Sequence, residues 1–164
     1  MIDYVLPNKN EKEFLDMATK LGYKELVFLY SLKDFKGKGG IVCEAKELGK
    51  AKNKTEIVVV KCKDDVKQVI ERSPSFIYGI EDHNNMDFMH HKNSGLNHVL
   101  VKLMKTKNVG YMVDFNGLLN SDRTRLLSRI KFNINLCKKY KVNVVIASFA
   151  NDPYKMKGKK DMLL

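Results

Sequence analysis

The chain has 164 residues, of which 44% are hydrophobic, and its formal net charge is +11. It is long enough for one folded domain with a sizeable core and too apolar for a disordered chain, so we expect a single domain over residues 1–164. The positive charge favours a polyanionic partner, although a lysine-biased genome composition would also raise it. No apolar run reaches membrane-spanning length and no secretory signal begins the chain, so we expect a cytoplasmic protein.

The three cysteines are Cys43, Cys62 and Cys137, which are widely spaced and lie in apolar surroundings. An odd number without CxxC spacing argues for reduced, buried thiols. This pattern agrees with a cytoplasmic location.

Apolar and β-branched runs predict eight strands, at residues 2–6, 26–31, 41–48, 56–62, 76–81, 86–90, 109–115 and 142–150. Helical spacing and capping signals predict helices at residues 11–21, 64–72, 93–108 and 122–139. Residues 33–40 and 49–54 are predicted to be lysine-rich connectors; the first either faces RNA or is simply solvated. Alternating strands and helices imply parallel pairing with right-handed crossovers. The predicted fold is an α/β, compact TIM-like (β/α) barrel with parallel strands, and an open doubly wound sheet is the alternative.

The helix predicted at residues 93–108 has two different faces. Asn93 and Ser94 can cap its start. Apolar residues recur on one side at three- and four-residue spacing, namely Leu96, Val99, Leu100, Leu103 and Met104. The opposite side carries His98, Lys102 and Lys105. These basic residues form either an RNA-binding stripe or a solvated helix face.

The helix predicted at residues 122–139 has a predicted core face made of Leu126, Leu127, Ile130, Ile134 and Cys137. On its other side gather Arg125, Arg129, Phe132, Leu136 and Lys139. Phe132 and Leu136 need a second surface to cover them. We expect either a protein-docking patch with a basic rim that includes Arg129, or a wide core face that packs on a neighbouring helix.

The run GLNHVLVKLMKTKNV at residues 95–109 carries a resemblance to a known family. It resembles the GIDHVLAKLMVKKNV-type signature of the archaeal ribonuclease P protein component 3 family. The likeness continues through Leu118-Leu119, the arginine-rich helix and KKYKV at residues 138–142, and it covers about residues 86–148. It implies a barrel related to phosphoesterases of the PHP type. It also implies a subunit that supports the catalytic RNA in removing 5′ leaders from precursor tRNA.

The chain departs from the family pattern in its second half. Asn116-Gly117 stands where relatives tend to have Arg-Pro, which removes a candidate RNA contact. The chain also stops where relatives continue through a final helix. The barrel is therefore expected to lack some covering helices, or the chain is truncated.

The resemblance and the charge pattern together lead to specific site predictions. The predicted RNA-binding residues are Lys92, His98, Lys102, Lys105, Arg123 and Arg125. The predicted partner-binding residues are Phe132, Leu136 and Arg129. By resemblance, the partners are the ribonuclease P RNA, precursor tRNA and protein component 2, the last in a heteromeric pair or heterotetramer. No metal, cofactor or catalytic residue is predicted, and the isolated chain is expected to be inactive.

Two other functions are alternatives. A freestanding PHP-like metal-dependent phosphoesterase needs an HxH pair at the first strand, where this chain has DYVL at residues 3–6. Its four histidines, His83, His90, His91 and His98, lie too close together in sequence to converge on a metal from several directions. Five carboxylates near strand ends have no base, nucleophile or metal partner in the pattern: Glu44, Glu81, Asp82, Asp87 and Asp114. The third function is a generic basic RNA-binding domain.

Overall fold

Seven parallel strands form a nearly closed barrel in the computed structural model of the chain, which describes residues 2–63, 65–82, 87, 92–119, 123–158 and 160–162. The strands are β1 Ile2–Val5, β2 Glu25–Tyr30, β3 Gly40–Glu44, β4 Val58–Lys61, β5 Phe76–Tyr78, β6 Gly110–Asp114 and β7 Val144–Ala147. Each strand pairs in parallel with the next one along the chain. The predicted TIM-like α/β barrel is therefore confirmed. The strand predicted at residues 86–90 lies, apart from Asp87, outside the described residues.

Backbone hydrogen bonds join β1 to the segment that follows β7. The amide of Phe149 donates to the carbonyl of Tyr4 (3.0 Å), and the amide of Leu6 donates to the carbonyl of Ala150 (2.8 Å). The buried carboxylate of Asp3 accepts hydrogen bonds from the amide and the hydroxyl of Ser148, both at 2.7 Å. Burial raises the pKa of Asp3, and the bonds from Ser148 oppose that rise. This seam brings the two ends of the sheet together.

Side chains from alternate strand positions fill the barrel interior, as the two-residue period of a strand requires. All seven strands contribute, through Tyr4, Val27, Leu29, Val42, Val59, Phe76, Tyr78, Met112, Val145 and Ala147. Phe149 closes this cluster by stacking on Tyr78, with ring centroids 4.8 Å apart. The interior is thus a packed core.

Six helices within the described residues cover the outside: α1 Glu11–Lys20, α2 Leu48–Lys52, α3 Val66–Glu71, α4 His98–Lys107, α5 Phe115–Leu119 and α6 Arg123–Lys139. The largest core cluster lies between α2, α3, α4 and α6 and the outer faces of β3 to β7. All three cysteines are buried and free in this layer. A smaller cluster packs α1 against β1 and β2 through Phe14 and Ala18. No described helix is long and apolar enough to cross a membrane.

Two short helices replace predicted irregular or extended segments. After β3 the chain forms a 3-10 turn, Ala45–Glu47, and then α2, where the sequence predicts the end of a strand and a connector. Leu48 and Ala51 are fully buried, but two apolar residues three apart are too short a signal to predict a helix. The pair Asn116-Gly117, a dipeptide typical of turns, lies in α5. The Asp114 carboxylate accepts a hydrogen bond from the amide of Gly117 (2.7 Å) and stabilises the first turn of this helix.

Candidate nucleic-acid interface

The α4 helix begins later than its sequence predicts. Its N-cap is Asn97, whose side chain accepts a hydrogen bond from the amide of Leu100 (2.9 Å). The predicted caps, Asn93 and Ser94, lie in the preceding loop, so that prediction was wrong. Gly95 explains the delay, since its φ is +82° and a Cβ there would overlap the carbonyl oxygen of Ile80. The loop packs closely against the residues that follow β5, so the helix does not begin until after Asn97.

The buried face of α4 is also rotated from the predicted one. Val101 and Met104 are fully buried, whereas Val99, a predicted core residue, is 61% exposed. Leu96 is buried but precedes the helix. The rotation follows from packing, because α4 must contact both α3 and α6. Periodicity alone does not specify these neighbours.

The predicted basic stripe on α4 lies at the surface. His98, Lys102 and Lys105 are all exposed. The Lys102 ammonium lies 5.8 Å from the centre of the Tyr140 ring, within range of a cation–π contact. Lys105 donates a hydrogen bond to the carbonyl of Lys141 (3.0 Å), which leaves two of its three donors for a ligand. Both lysines of the stripe are thus held by residues beyond the end of α6.

The remaining predicted RNA-binding residues lie on or beside α6. Lys92 is exposed and donates a hydrogen bond to the hydroxyl of Ser128 on α6. Arg125 is exposed in the first turns of α6. Arg123 is the first residue of α6, and its side chain lies outside the described part of the structure. Since α4 packs against α6, the described members of this set are carried by adjoining elements.

The predicted partner patch is smaller than the sequence suggests. Arg129 is fully buried and cannot form a basic rim. Its Nε and Nη2 atoms each lie 2.9 Å from Oδ1 of Asp87, and its Nη1 donates to the carbonyl of Glu81 (3.1 Å). Leu136 is half-buried and packs against the main core, and Phe132 is also half-buried. The contact of Leu136 agrees with the wide core face, and the docking role of both residues stays a prediction.

Around Arg129 the structure reveals a buried polar cluster that the sequence analysis missed. The hydroxyl of Tyr111 donates to Glu81 Oε2 (3.0 Å), and the Asn133 amide donates to the carbonyl of Ser94 (2.9 Å). Burial raises the pKa of Glu81 to about 7. The cluster ties the loop before α4 to α6. The only sequence signal for it was the pair Arg129 and Asn133, which are polar residues one helical turn apart beside the predicted core face.

Four of the five carboxylates near strand ends have structural partners, and Glu81 is the one bound by Tyr111. Glu44 is exposed and forms an ion pair with Lys46 (2.8 Å). Asp87 binds Arg129, and Asp114 binds the amide of Gly117; burial raises the pKa of Asp114. Within the described residues, no group of three or more histidine, cysteine, aspartate or glutamate side chains could hold a metal ion. The predictions for His83, His90 and His91 concern residues outside that set.

The fold and surface define a class, a parallel α/β barrel with a basic stripe on its outer helices. Comparison with known proteins places the chain within that class. It is 32% identical over 168 residues to ribonuclease P protein component 3 of Methanococcus maripaludis strain C7, covering 94% of this chain and 66% of the relative. The corresponding protein of Methanococcus vannielii is 31% identical over 157 residues, covering 92% and 64%. The chain belongs to the ribonuclease P protein component 3 family.

Further comparisons agree with the fold. A chain in the cryo-EM structure of archaeal ribonuclease P with mature tRNA superposes with a TM-score of 0.75 at 23% identity, covering 98% of this chain and 79% of that one. At this identity, the likeness shows the fold alone. No family model matches the sequence. The chain spans about two thirds or less of the length of the curated relatives it matches.

Proposed function

We propose that this chain acts as the component 3 subunit of an archaeal-type ribonuclease P, the ribonucleoprotein that removes 5′ leaders from precursor tRNA. Family membership over nearly the whole chain carries the proposal. The net charge of +11 supports RNA and precursor tRNA as partners. The buried, free cysteines fit a cytoplasmic assembly.

The protein's role in this proposal is to support the RNA, which performs the phosphodiester chemistry. Exposed lysines such as Lys102 and Lys105 neutralise phosphates while placing few geometric demands on the RNA. Three described carboxylates hold the protein together instead of facing a substrate: Asp3 binds Ser148, Asp87 binds Arg129 and Asp114 binds Gly117. We therefore expect an accessory, non-catalytic subunit.

Protein component 2 is the proposed protein partner, and the exposed parts of Phe132 and Leu136 on α6 are its proposed contact. Both side chains are half-buried, so each keeps apolar surface that a partner can cover. Arg129 takes no part in this contact because it lies inside the protein.

Reconstitution tests the proposal directly. Ribonuclease P RNA and the other protein subunits are assembled with and without this chain, and release of the 5′ leader from precursor tRNA is measured over time. We expect faster cleavage or a lower magnesium requirement with the chain present, and no cleavage by the RNA-free chain. Unchanged cleavage in the full mixture, or magnesium-dependent cleavage by the RNA-free chain, would overturn it.

Selectivity separates this function from generic RNA binding. The tagged chain is expected to co-purify with component 2 and with one structured RNA from cell extract. An unrelated structured RNA of equal length is the competitor. Equal competition by both RNAs would contradict a ribonuclease P role and favour a generic basic domain.

A further inference from the structure

A second group of cations lies at the barrel mouth, away from the residues of the α4 stripe. β3 ends at Glu44 and β4 ends at Lys61, so the segments that follow them lie at the C-terminal end of the barrel. Between these segments and α3 is a cleft of about 460 Å³. Barrels of parallel strands place ligand-binding groups at this end, because the loops that follow the strands converge there.

The lining of this cleft is strongly basic. Four cations line it, namely Lys46, Lys61, Lys63 and Arg72, against two carboxylates, Glu44 and Asp65. The described lining residues therefore carry a formal excess of two positive charges. The hydrogen bond from Lys46 lowers the pKa of the exposed Glu44 carboxylate, and the charges of Lys63 and Lys61 lower it further. All three lysine charges therefore act on the same part of the cleft.

Several of these cations are held in position by the protein. Arg72 donates a hydrogen bond from Nη1 to the carbonyl of Ala45 (2.7 Å), which holds its guanidinium across the cleft. The carbonyl of Arg72 in turn accepts a hydrogen bond from Lys52 (2.8 Å). The aliphatic stem of Lys61 lies alongside Gly79, where a Cβ would be 3.6 Å from its Cγ and Cε. Cations already ordered in this way lose less conformational freedom when an anion binds.

The cleft continues across the mouth of the barrel. A neighbouring cleft of about 340 Å³ shares Lys46 and Lys61 and reaches Val42. Val42 also lines a third cleft, of about 620 Å³. This cleft adds four lysines against two carboxylates, namely Lys9, Lys33, Lys36 and Lys38 against Glu11 and Asp34. The half-buried ring of Tyr30 lines this third cleft and is suited to stacking against a base. Together these clefts form a groove along the C-terminal ends of β1 to β4.

We infer that this groove, centred on Lys46, Lys61, Lys63 and Arg72, binds the phosphate backbone of a single-stranded RNA segment. A groove that repeats its cations fits a chain of phosphates better than a single phosphate group. The inference rests on the proposed function for the identity of its polyanion, and it adds a binding surface that shares no residue with the α4 stripe.

A pair of matched double variants tests the groove. Lys61→Ala with Lys63→Ala removes two cleft cations, whereas Lys12→Ala with Lys20→Ala removes two exposed lysines from α1. Both changes lower the net charge equally. Binding of a fluorescently labelled oligouridylate is measured by anisotropy at several salt concentrations, and circular dichroism checks that both variants are folded.

We expect the cleft variant to bind on the order of tenfold more weakly and its slope of log affinity against log salt to fall by about 1.4, at ~0.7 for each single-strand phosphate that is no longer neutralised. The α1 variant is expected to remain close to the wild type. Bound oligouridylate should also protect Lys61 and Lys63 from chemical acetylation, read by mass spectrometry, and leave Lys12 and Lys20 reactive.

The outcomes separate this groove from the general function. Equal affinities of the two double variants for oligouridylate, or equal acetylation of all four lysines, would overturn the assignment of the groove as an RNA-binding site. The proposed function would still stand in that case if the wild-type chain binds RNA. Failure of the wild-type chain to bind any RNA overturns both. Inorganic tripolyphosphate is the second probe: if its binding alone is abolished in the cleft variant, the site takes a small phosphate ligand and the RNA assignment is wrong.

Discussion

The guanidinium of Arg129 is buried because its surroundings satisfy it. Asp87 accepts hydrogen bonds from two of its nitrogens and the carbonyl of Glu81 accepts one from the third. A buried charge without such partners would cost several kcal/mol. Arg129 therefore joins α6 to the chain that follows β5. The neighbouring pair Glu81 and Tyr111 belongs to the same polar cluster and makes it sensitive to pH.

The first prediction concerns Glu81, whose pKa is raised to about 7 by burial. The folded protein binds the proton of the Glu81 carboxyl group more tightly than the unfolded chain does. The stability that this protonated group contributes is therefore complete below about pH 4.5 and is lost as the pH rises through about 7. Glu81→Gln keeps an oxygen that can accept from Tyr111 and removes this titration. Relative to the wild type, the free energy of unfolding of the variant should rise by about 3 kcal/mol between pH 4.5 and pH 8.

Urea unfolding at several pH values measures this difference. Glu13→Gln is the matched control, because it removes the exposed carboxylate of Glu13 on α1. If the difference in free energy of unfolding between Glu81→Gln and the wild type does not change with pH, the buried carboxyl group of Glu81 does not titrate as predicted.

The second prediction concerns the α4 stripe. Lys102→Ala combined with Lys105→Ala should weaken RNA binding and lower the slope of log affinity against log salt by up to ~2, about one for each phosphate that these lysines neutralise. His98→Ala should have a smaller effect than the lysine substitutions, because lysine carries its charge on a long, flexible stem that reaches phosphates easily. Anisotropy titrations against ribonuclease P RNA provide the measurement. If the double variant keeps the wild-type affinity and slope, the stripe is a solvated helix face.

At the scale of elements, the start of α4 is decided by the loop before it. Gly95 passes so close to the Ile80 carbonyl that a side chain does not fit, and Asn97 then provides the cap. The loop is further fixed by Asn133 through Ser94. These contacts set the position of the helix that carries Lys102 and Lys105.

The third prediction follows from this close approach. Gly95→Ala must adopt an unfavourable positive φ and also displace the Ile80 carbonyl. Gly22→Ala has a similar φ of +74° but nothing within 4 Å of its Cβ, so it reports the backbone term alone. We expect Gly22→Ala to cost about 1 kcal/mol and Gly95→Ala about 2 kcal/mol more. Thermal or urea unfolding measures the free energy of unfolding of both variants. Equal losses of that free energy would show that the loop before α4 accommodates the added side chain without strain.

At the scale of the whole molecule, the barrel separates two basic regions onto different parts of the fold. The stripe lies on α4, and the groove lies at the strand ends of β1 to β4. The α6 helix adds the half-buried Phe132 and Leu136. In the proposed assembly, RNA and a protein partner can therefore contact different surfaces of the same subunit.

The fourth prediction tests the protein-docking surface. Phe132→Asp should prevent binding of component 2 while the protein remains folded, because a charge replaces apolar contact area that is worth about 2 kcal/mol when fully covered. Asn135→Asp adds the same charge at an exposed position of α6 and should leave binding unchanged. Calorimetric titration with component 2 measures both. Unfolding of Phe132→Asp would assign the residue to the core and reject the docking surface.

The sequence by itself determined the parallel α/β arrangement, most of its elements and the family, and it left a closed barrel and an open sheet as alternatives. Strand runs such as the one at β4 and the long periodicity of α6 are local patterns, and the helix predicted at residues 122–139 is confirmed almost to the residue as Arg123–Lys139. The core face of α6 is confirmed by the burial of Ile130, Ile134 and Cys137. Such features depend on residues a few positions apart, which a sequence displays directly.

The tertiary structure alone decided which residues meet across the barrel. The Asp3–Ser148 seam joins residues 145 positions apart. The burial of Arg129 depends on its hydrogen bond to Asp87, 42 positions away. The rotation of α4 and the basic groove likewise arise from packing between elements that lie far apart in sequence. Burial and charge neutralisation depend on the complete set of neighbours, and only the closed fold brings those neighbours together.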